Sequence, residues 1–119
     1  MENRAAQHRR ERLADALRDE IGAILEGELA DPRVGLATVN EVLLAPDGKS
    51  ARVLINPEGT EREAEETLAG LNAAKGFIRH QVRERLGLRH VPEIFFYLDY
   101  SQQHKGRVEE LLKRIKKRG

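Results

Sequence analysis

Cysteine and tryptophan are both absent from the 119 residues, and the only aromatics are three phenylalanines and two tyrosines. The missing thiols exclude disulfides, cysteine-held zinc, iron–sulfur clusters and thiol nucleophiles. Long apolar runs are missing as well. The longest are Ile94–Leu98 and Val42–Ala45, far short of the roughly 20 residues that cross a bilayer as a helix. From Met1 to Arg12 the chain is polar and charged, with no apolar stretch of the kind a secretory signal needs. A cytoplasmic protein without membrane contact is expected. No repeat, low-complexity tract or Pro/Gly/Ser-rich linker interrupts the chain, so residues 1–119 are expected to form one domain.

Charge is plentiful: 34% of the residues are charged, against roughly 25% in an average soluble protein. The net charge is only +1, but it is unevenly spread. Residues 1–12 carry four arginines against two acids, and residues 13–74 carry thirteen acids against five bases. Residues 75–104 hold five bases to three acids, and residues 105–119 seven to two. Such asymmetry can place a positive face on a nearly neutral molecule. A solvated, salt-bridged surface produces the same counts.

Periodicity divides the chain into elements. Leu13, Leu17, Ile21, Ile24 and Leu25 recur at helical spacing, and Gly27 followed by Asp31-Pro32 ends that helix. Leu36–Ala45 is rich in strand formers. Pro46-Asp47-Gly48 predicts a turn, and Ala51–Asn56 a returning strand with Ala51, Val53 and Ile55 on one face. After Pro57-Glu58-Gly59, Thr60 and Glu63 fit a capping box opening a helix whose inward residues are Ala64, Leu68 and Leu71. Ala74-Lys75-Gly76 predicts a kink, attributed to glycine's poor helix propensity. The pattern resumes at Ile78, Val82 and Leu86 and closes at Gly87. Glu93–Tyr100 predicts a third strand, and Ser101 a final helix with Val108, Leu111, Leu112 and Ile115 on its seam. The expected class is α+β, in the order α-β-β-α-α-β-α, with a three-stranded sheet covered by helices on one face.

Most catalytic signatures are missing. Gly48-Lys49-Ser50 resembles the end of a phosphate-binding loop, but Leu43 stands where the first glycine belongs, and the tripeptide falls in a hairpin. His8, His80, His90 and His104 lack metal-ligand spacing. The acids Glu61, Glu63, Glu65 and Glu66 fall in the first turns of a helix, where they offset its positive end. Asp99, Ser101 and His104 crowd one junction without a nucleophile turn. No catalytic residue, metal, cofactor or small-molecule substrate is expected.

Binding chemistry is better represented. On the helix after the kink, Lys75, Arg79 and Arg83 form one row and Ile78, Val82 and Leu86 another, about 100° apart. One row can face the core while the other presents a cationic stripe, which Arg85 and Arg89 extend. Repeated point charges of this kind suit phosphates, and arginine adds bidentate geometry. A solvated helix face fits the same residues. Arg9, Arg10 and Arg12 in the leader can contact phosphates or solubilise an end. Glu109 and Glu110 precede Lys113 and Arg114 by four residues, which partly occupies the cations of the last helix. With so few aromatics, a nucleic acid would be read by backbone shape more than by base stacking.

Five motifs in order then resemble the ribosome-binding factor A family, whose fold is a type II KH-like domain. They are the leader's Arg9–Arg12 with Glu20-Ile21; Asp31-Pro32-Arg33; Ala74-Lys75-Gly76-Phe77-Ile78-Arg79; Leu86-Gly87-Leu88-Arg89-x-Val91-Pro92-Glu93; and Asp99-x-Ser101 leading to Gly106-Arg107-Val108. They span residues 9 to about 115. The resemblance implies a non-enzymatic factor whose partner is the immature small (30S) ribosomal subunit and its 16S rRNA. It would assist late rRNA processing and folding, notably near the 5′ end, and support growth in the cold. It places RNA contact on Lys75 and Arg79, with Arg83, Arg85, Arg89, Arg9, Arg10, Arg12 and Arg33 as neighbouring candidates and Ala74 and Gly76 as the kink. The G-x-x-G clamp of ordinary KH domains is replaced here by Ala74-Lys75-Gly76. A KH-like module for another structured RNA or ribonucleoprotein is the alternative. A monomer is expected, since no large exposed apolar stripe demands a partner.

Overall fold

The computed structural model describes residues 4–27 and 37–100. The elements are α1 (Arg4–Gly27), β1 (Ala37–Leu44), β2 (Ser50–Pro57), α2 (Glu61–Ala73), α3 (Lys75–Leu86) and β3 (Glu93–Leu98). This is the expected α-β-β-α-α-β order of an α+β fold. The expected C-terminal helix and the segment holding Asp31-Pro32-Arg33 lie outside the described residues.

The helical seam of α1 is set by its apolar spacing. Leu17, Ile21 and Ile24 are fully buried, with Leu13 and Leu25 packed at the margin. Each such burial contributes about 1.5–3 kcal/mol. The β1–β2 hairpin turns through Gly48, whose φ of 72° suits a residue without a side chain. The turn is held by the Gly48 amide donating to Ala45 O (2.8 Å) and the Lys49 amide donating to Asp47 Oδ1 (3.0 Å). The strands pair antiparallel, with Val42 opposite Val53, and the register shifts between Val39 and Glu41. The bulged residue there is Asn40.

Strand β2 is central and pairs in parallel with β3, Ala51 against Ile94 and Val53 against Phe96. Their alternation sends Ala51, Val53, Ile55, Ile94 and Phe96 into one core with the buried residues of α1, Leu71 of α2, and Ile78 and Val82 of α3. The helices therefore cover one face of the sheet. Strand β3 stops at Leu98 rather than Tyr100. The Asp99 amide still donates to Ile55 O (2.8 Å), but the Asp99 carboxylate is held by Asn40 Nδ2 at 2.9 Å.

Helix α2 begins with the predicted capping box. Thr60 Oγ1 accepts from the Glu63 amide, and Glu63 Oε1 accepts from the Thr60 amide, both at 3.2 Å. Its inward face is rotated from expectation. Thr67, Gly70 and Leu71 are buried, whereas Ala64 and Leu68 are only half-buried. Hydropathy periodicity does not count threonine as an inward residue. Here the hydroxyl of Thr67 has a partner, so its methyl enters the core without leaving an unsatisfied polar atom.

Candidate nucleic-acid interface

The site is built where α2 breaks into α3. The break falls at Ala74 (φ −92°, ψ 6°), which caps both helices, and not at Gly76 as helix propensity suggested. The Ala74 amide still donates to Gly70 O and Leu71 O, and Ala74 O accepts from the Ile78 amide at 3.0 Å. The bend keeps the bonds of the Ala74 amide and carbonyl, while the amides of Lys75, Gly76 and Phe77 donate to no carbonyl of α2. Gly76 lies within the first turn of α3, exposed, and a Cβ there would meet nothing within 4 Å. Nothing among the described residues requires glycine at this position.

The cationic row separates into residues with different duties. Lys75 Nζ lies 4.7 Å from the Phe95 ring centroid, a cation–π contact worth about 0.5–1 kcal/mol. It ties the kink to the face of β3 opposite Ile94 and Phe96. Arg79 Nη2 donates to Val91 O at 2.9 Å, which leaves most of its five N–H donors unused in that bond. Arg85 does not extend the stripe: its Nη1 pairs with Glu20 Oε2 of α1 at 3.4 Å. Arg83 and Arg89 are exposed, with no hydrogen-bond or ion-pair partner among the described residues.

The end of α3 folds the following chain back beside the helix. Gly87 takes the left-handed conformation (φ 62°), and its amide and that of Leu88 both donate to Arg83 O. This brings Arg89 and His90 against Arg79, His80 and Arg83. With Val91 these residues line an open groove of about 340 Å³. Sequence reasoning weighed His80 and His90 only as metal ligands and missed this grouping. The adjacency of His80 to Arg79, and of His90 to Arg89, was the available signal.

Other candidates lie elsewhere. Arg9 and Arg12 are exposed on α1, and Arg10 Nη1 reaches Pro46 O at 3.4 Å, tying α1 to the hairpin turn. Arg33 lies outside the described residues. A larger groove, about 860 Å³, is lined by Glu11, Asp15 and Arg18 of α1, Glu41 of β1, Asn56 and Asp99, among others. Carboxylates dominate it, so it repels phosphate. Among the described residues no group of acidic or histidine side chains could hold a metal ion, and no helix is long and apolar enough to cross a membrane.

Sequence and fold both have named counterparts. The family model for ribosome-binding factor A matches residues 9–112. A ribosome-binding factor A from Koribacter versatilis is 62% identical over 118 residues, covering 99% of this chain and 96% of the relative. The crystal structure of ribosome-binding factor A from Thermus thermophilus superposes with a TM-score of 0.65 at 26% identity, over 74% of this chain and 93% of that one. Coordinates of a homology model of the Thermus thermophilus ribosome binding factor A, as fitted into the cryo-EM map of its 30S complex, superpose with a TM-score of 0.56 at 30% identity, over 76% and 91% of the two chains.

Proposed function

The chain belongs to the ribosome-binding factor A family, and from that premise we propose that it binds the immature 30S subunit through phosphates of the 16S rRNA. In this reading it assists late rRNA folding and processing, including the 5′ end, and supports growth in the cold. It works as a cytoplasmic, monomeric, single-domain binding factor without catalysis or cofactor. The observation that carries the proposal is the relative whose coordinates occupy a 30S complex, similar over 76% of this chain. The groove beside the α2–α3 break supplies the chemistry.

Arg83 and Arg89 are the primary phosphate contacts, because neither is committed within the described fold. Arg79 holds the loop at Val91 and offers its remaining donors to the same strand of RNA. Lys75 is chiefly an anchor for the kink. Bare Gly76 lets a phosphodiester backbone approach α3 closely. The factor favours one rRNA arrangement only by its differential affinity for it over the alternatives.

The test is complementation of a bacterial strain deleted for its own member of the family, grown in the cold. The wild-type chain is expected to restore growth and mature 16S 5′ ends, and the Arg83→Glu/Arg89→Glu double variant is expected to do neither at equal expression. Full rescue by the double variant would remove this groove from the function.

A further inference from the structure

The groove that carries Arg79, Arg83 and Arg89 also holds two imidazoles, His80 from α3 and His90 from the turn after it. Three fixed cations and two titratable ones face a single concavity of about 340 Å³. We propose that His80 and His90 are phosphate-contacting residues, so that this groove grips the RNA backbone more tightly as pH falls. The inference rests on the proposed RNA-binding role of the groove and names two residues and a proton linkage beyond it.

The physical argument starts from charge. Histidine is the side chain that ordinarily changes charge between pH 5 and 8. Protonation turns a ring with one N–H donor into a cation with two, directed at a ligand that is negative throughout that range. Neutral imidazole offers the groove little Coulomb attraction, while imidazolium adds a charge-assisted hydrogen bond to phosphate. Both rings are on exposed residues, so they reach a ligand without refolding.

The surroundings permit the switch. Arg79 and Arg83 share α3 with His80, and Arg89 shares the turn with His90. A phosphate brought between these side chains is attracted more strongly by imidazolium than by neutral imidazole. The neighbouring carboxylates are Glu84 on α3, Glu93 at the start of β3 and Glu20 on α1. None of them lines the groove, and Glu20 is held by Arg85 at 3.4 Å. Glu84 follows His80 by one helical turn and is the acid best placed to compete with phosphate, but no ion pair joins the two.

The experiment measures binding of the full-length protein to purified 30S subunits and to a short RNA duplex, at pH 8.0 and pH 5.5, across a salt series. Three proteins are compared: wild type, His80→Gln/His90→Gln and His80→Lys/His90→Lys. Wild type is expected to bind about tenfold more tightly on acidification. Its log–log salt slope should steepen by roughly 0.7–0.9 for each additional phosphate neutralised. The glutamine variant should lose the acid enhancement whatever its affinity at pH 8.0, and the lysine variant should show no enhancement while binding more tightly than the glutamine variant at both pH values. Equal enhancement in wild type and the glutamine variant would overturn the proposal, as would no enhancement in wild type. The two readings separate cleanly. Binding to 30S at pH 8.0 without a histidine-dependent enhancement defeats only this inference. Proton-linked duplex binding without 30S binding upholds the groove and defeats the ribosomal reading.

Discussion

Asn72 seals a strand edge with one side chain. Its Oδ1 accepts from the Phe96 amide at 3.3 Å and its Nδ2 donates to Phe96 O at 3.5 Å, so the amide imitates a paired strand residue along β3. Exposed strand edges invite pairing with other chains, and this bond also moors α2 to the sheet just before the kink. Asn72→Leu leaves both backbone groups unpaired, and a loss of about 1–3 kcal/mol is expected. A lower urea midpoint at unchanged m checks it; an unchanged midpoint would contradict the assignment. At the same scale, Lys75 and Arg83 looked equivalent in the sequence, four-residue spacing placing both on one row. The Phe95 ring separates them. Nothing in the periodicity announces that an aromatic on β3, distant in sequence, captures one cation and not the other. Arg83→Ala is therefore expected to weaken 30S binding more than Lys75→Ala does. Cosedimentation at equal protein concentration reads the difference, and the reverse order would reassign the anchor.

Helix boundaries were legible because local chemistry sets them. The Thr60–Glu63 capping box and the left-handed Gly87 cap stand where the residue types predict them. Thr60→Ala should destabilise the protein by about 0.5–2 kcal/mol. Gly87→Ala, placed at φ 62°, should destabilise it as well, because alanine is strained there. Gly87→Ala should also loosen the turn that carries Arg89 and His90 into the groove, so RNA affinity should fall with stability. Thr60→Ala should leave affinity intact. Thermal melts and RNA titrations of the two variants distinguish them. The kink was placed correctly but explained wrongly. Glycine propensity pointed to Gly76, whereas Ala74 supplies the bend and Gly76 stays helical. The inward face of α2 was read in part: Leu71 is fully buried and Leu68 packs against the core as expected, but Thr67, a satisfied threonine, occupies a core position that hydropathy assigns elsewhere.

At the scale of the molecule, a net chain charge of +1 goes with a pair of grooves of opposite sign among the described residues. The acidic one lies at α1 and β1, and the basic one at the end of α3 and the turn into β3. β1 and β3 are the two edges of the sheet, and the two grooves differ in the sign of the charges that dominate their linings. The linear charge tally allowed a positive face but fitted a solvated, salt-bridged surface as well, and its most basic segment, residues 105–119, lies outside the described residues. The parallel pairing of β2 with β3 was not legible, since alternation gives the faces of a strand but not its neighbour or direction. Nor was the fate of Arg85, which depends on Glu20 from a helix far away in the chain.

The most direct measurement is cosedimentation of the purified protein with 30S and with 50S subunits over a salt series. Selective association with 30S is predicted, weakening steadily as salt rises because released counterions drive phosphate contact. The Arg83→Glu/Arg89→Glu variant is predicted to lose that association while melting as wild type does. Equal binding to both subunits, or 30S binding indifferent to salt and to this variant, would contradict the account.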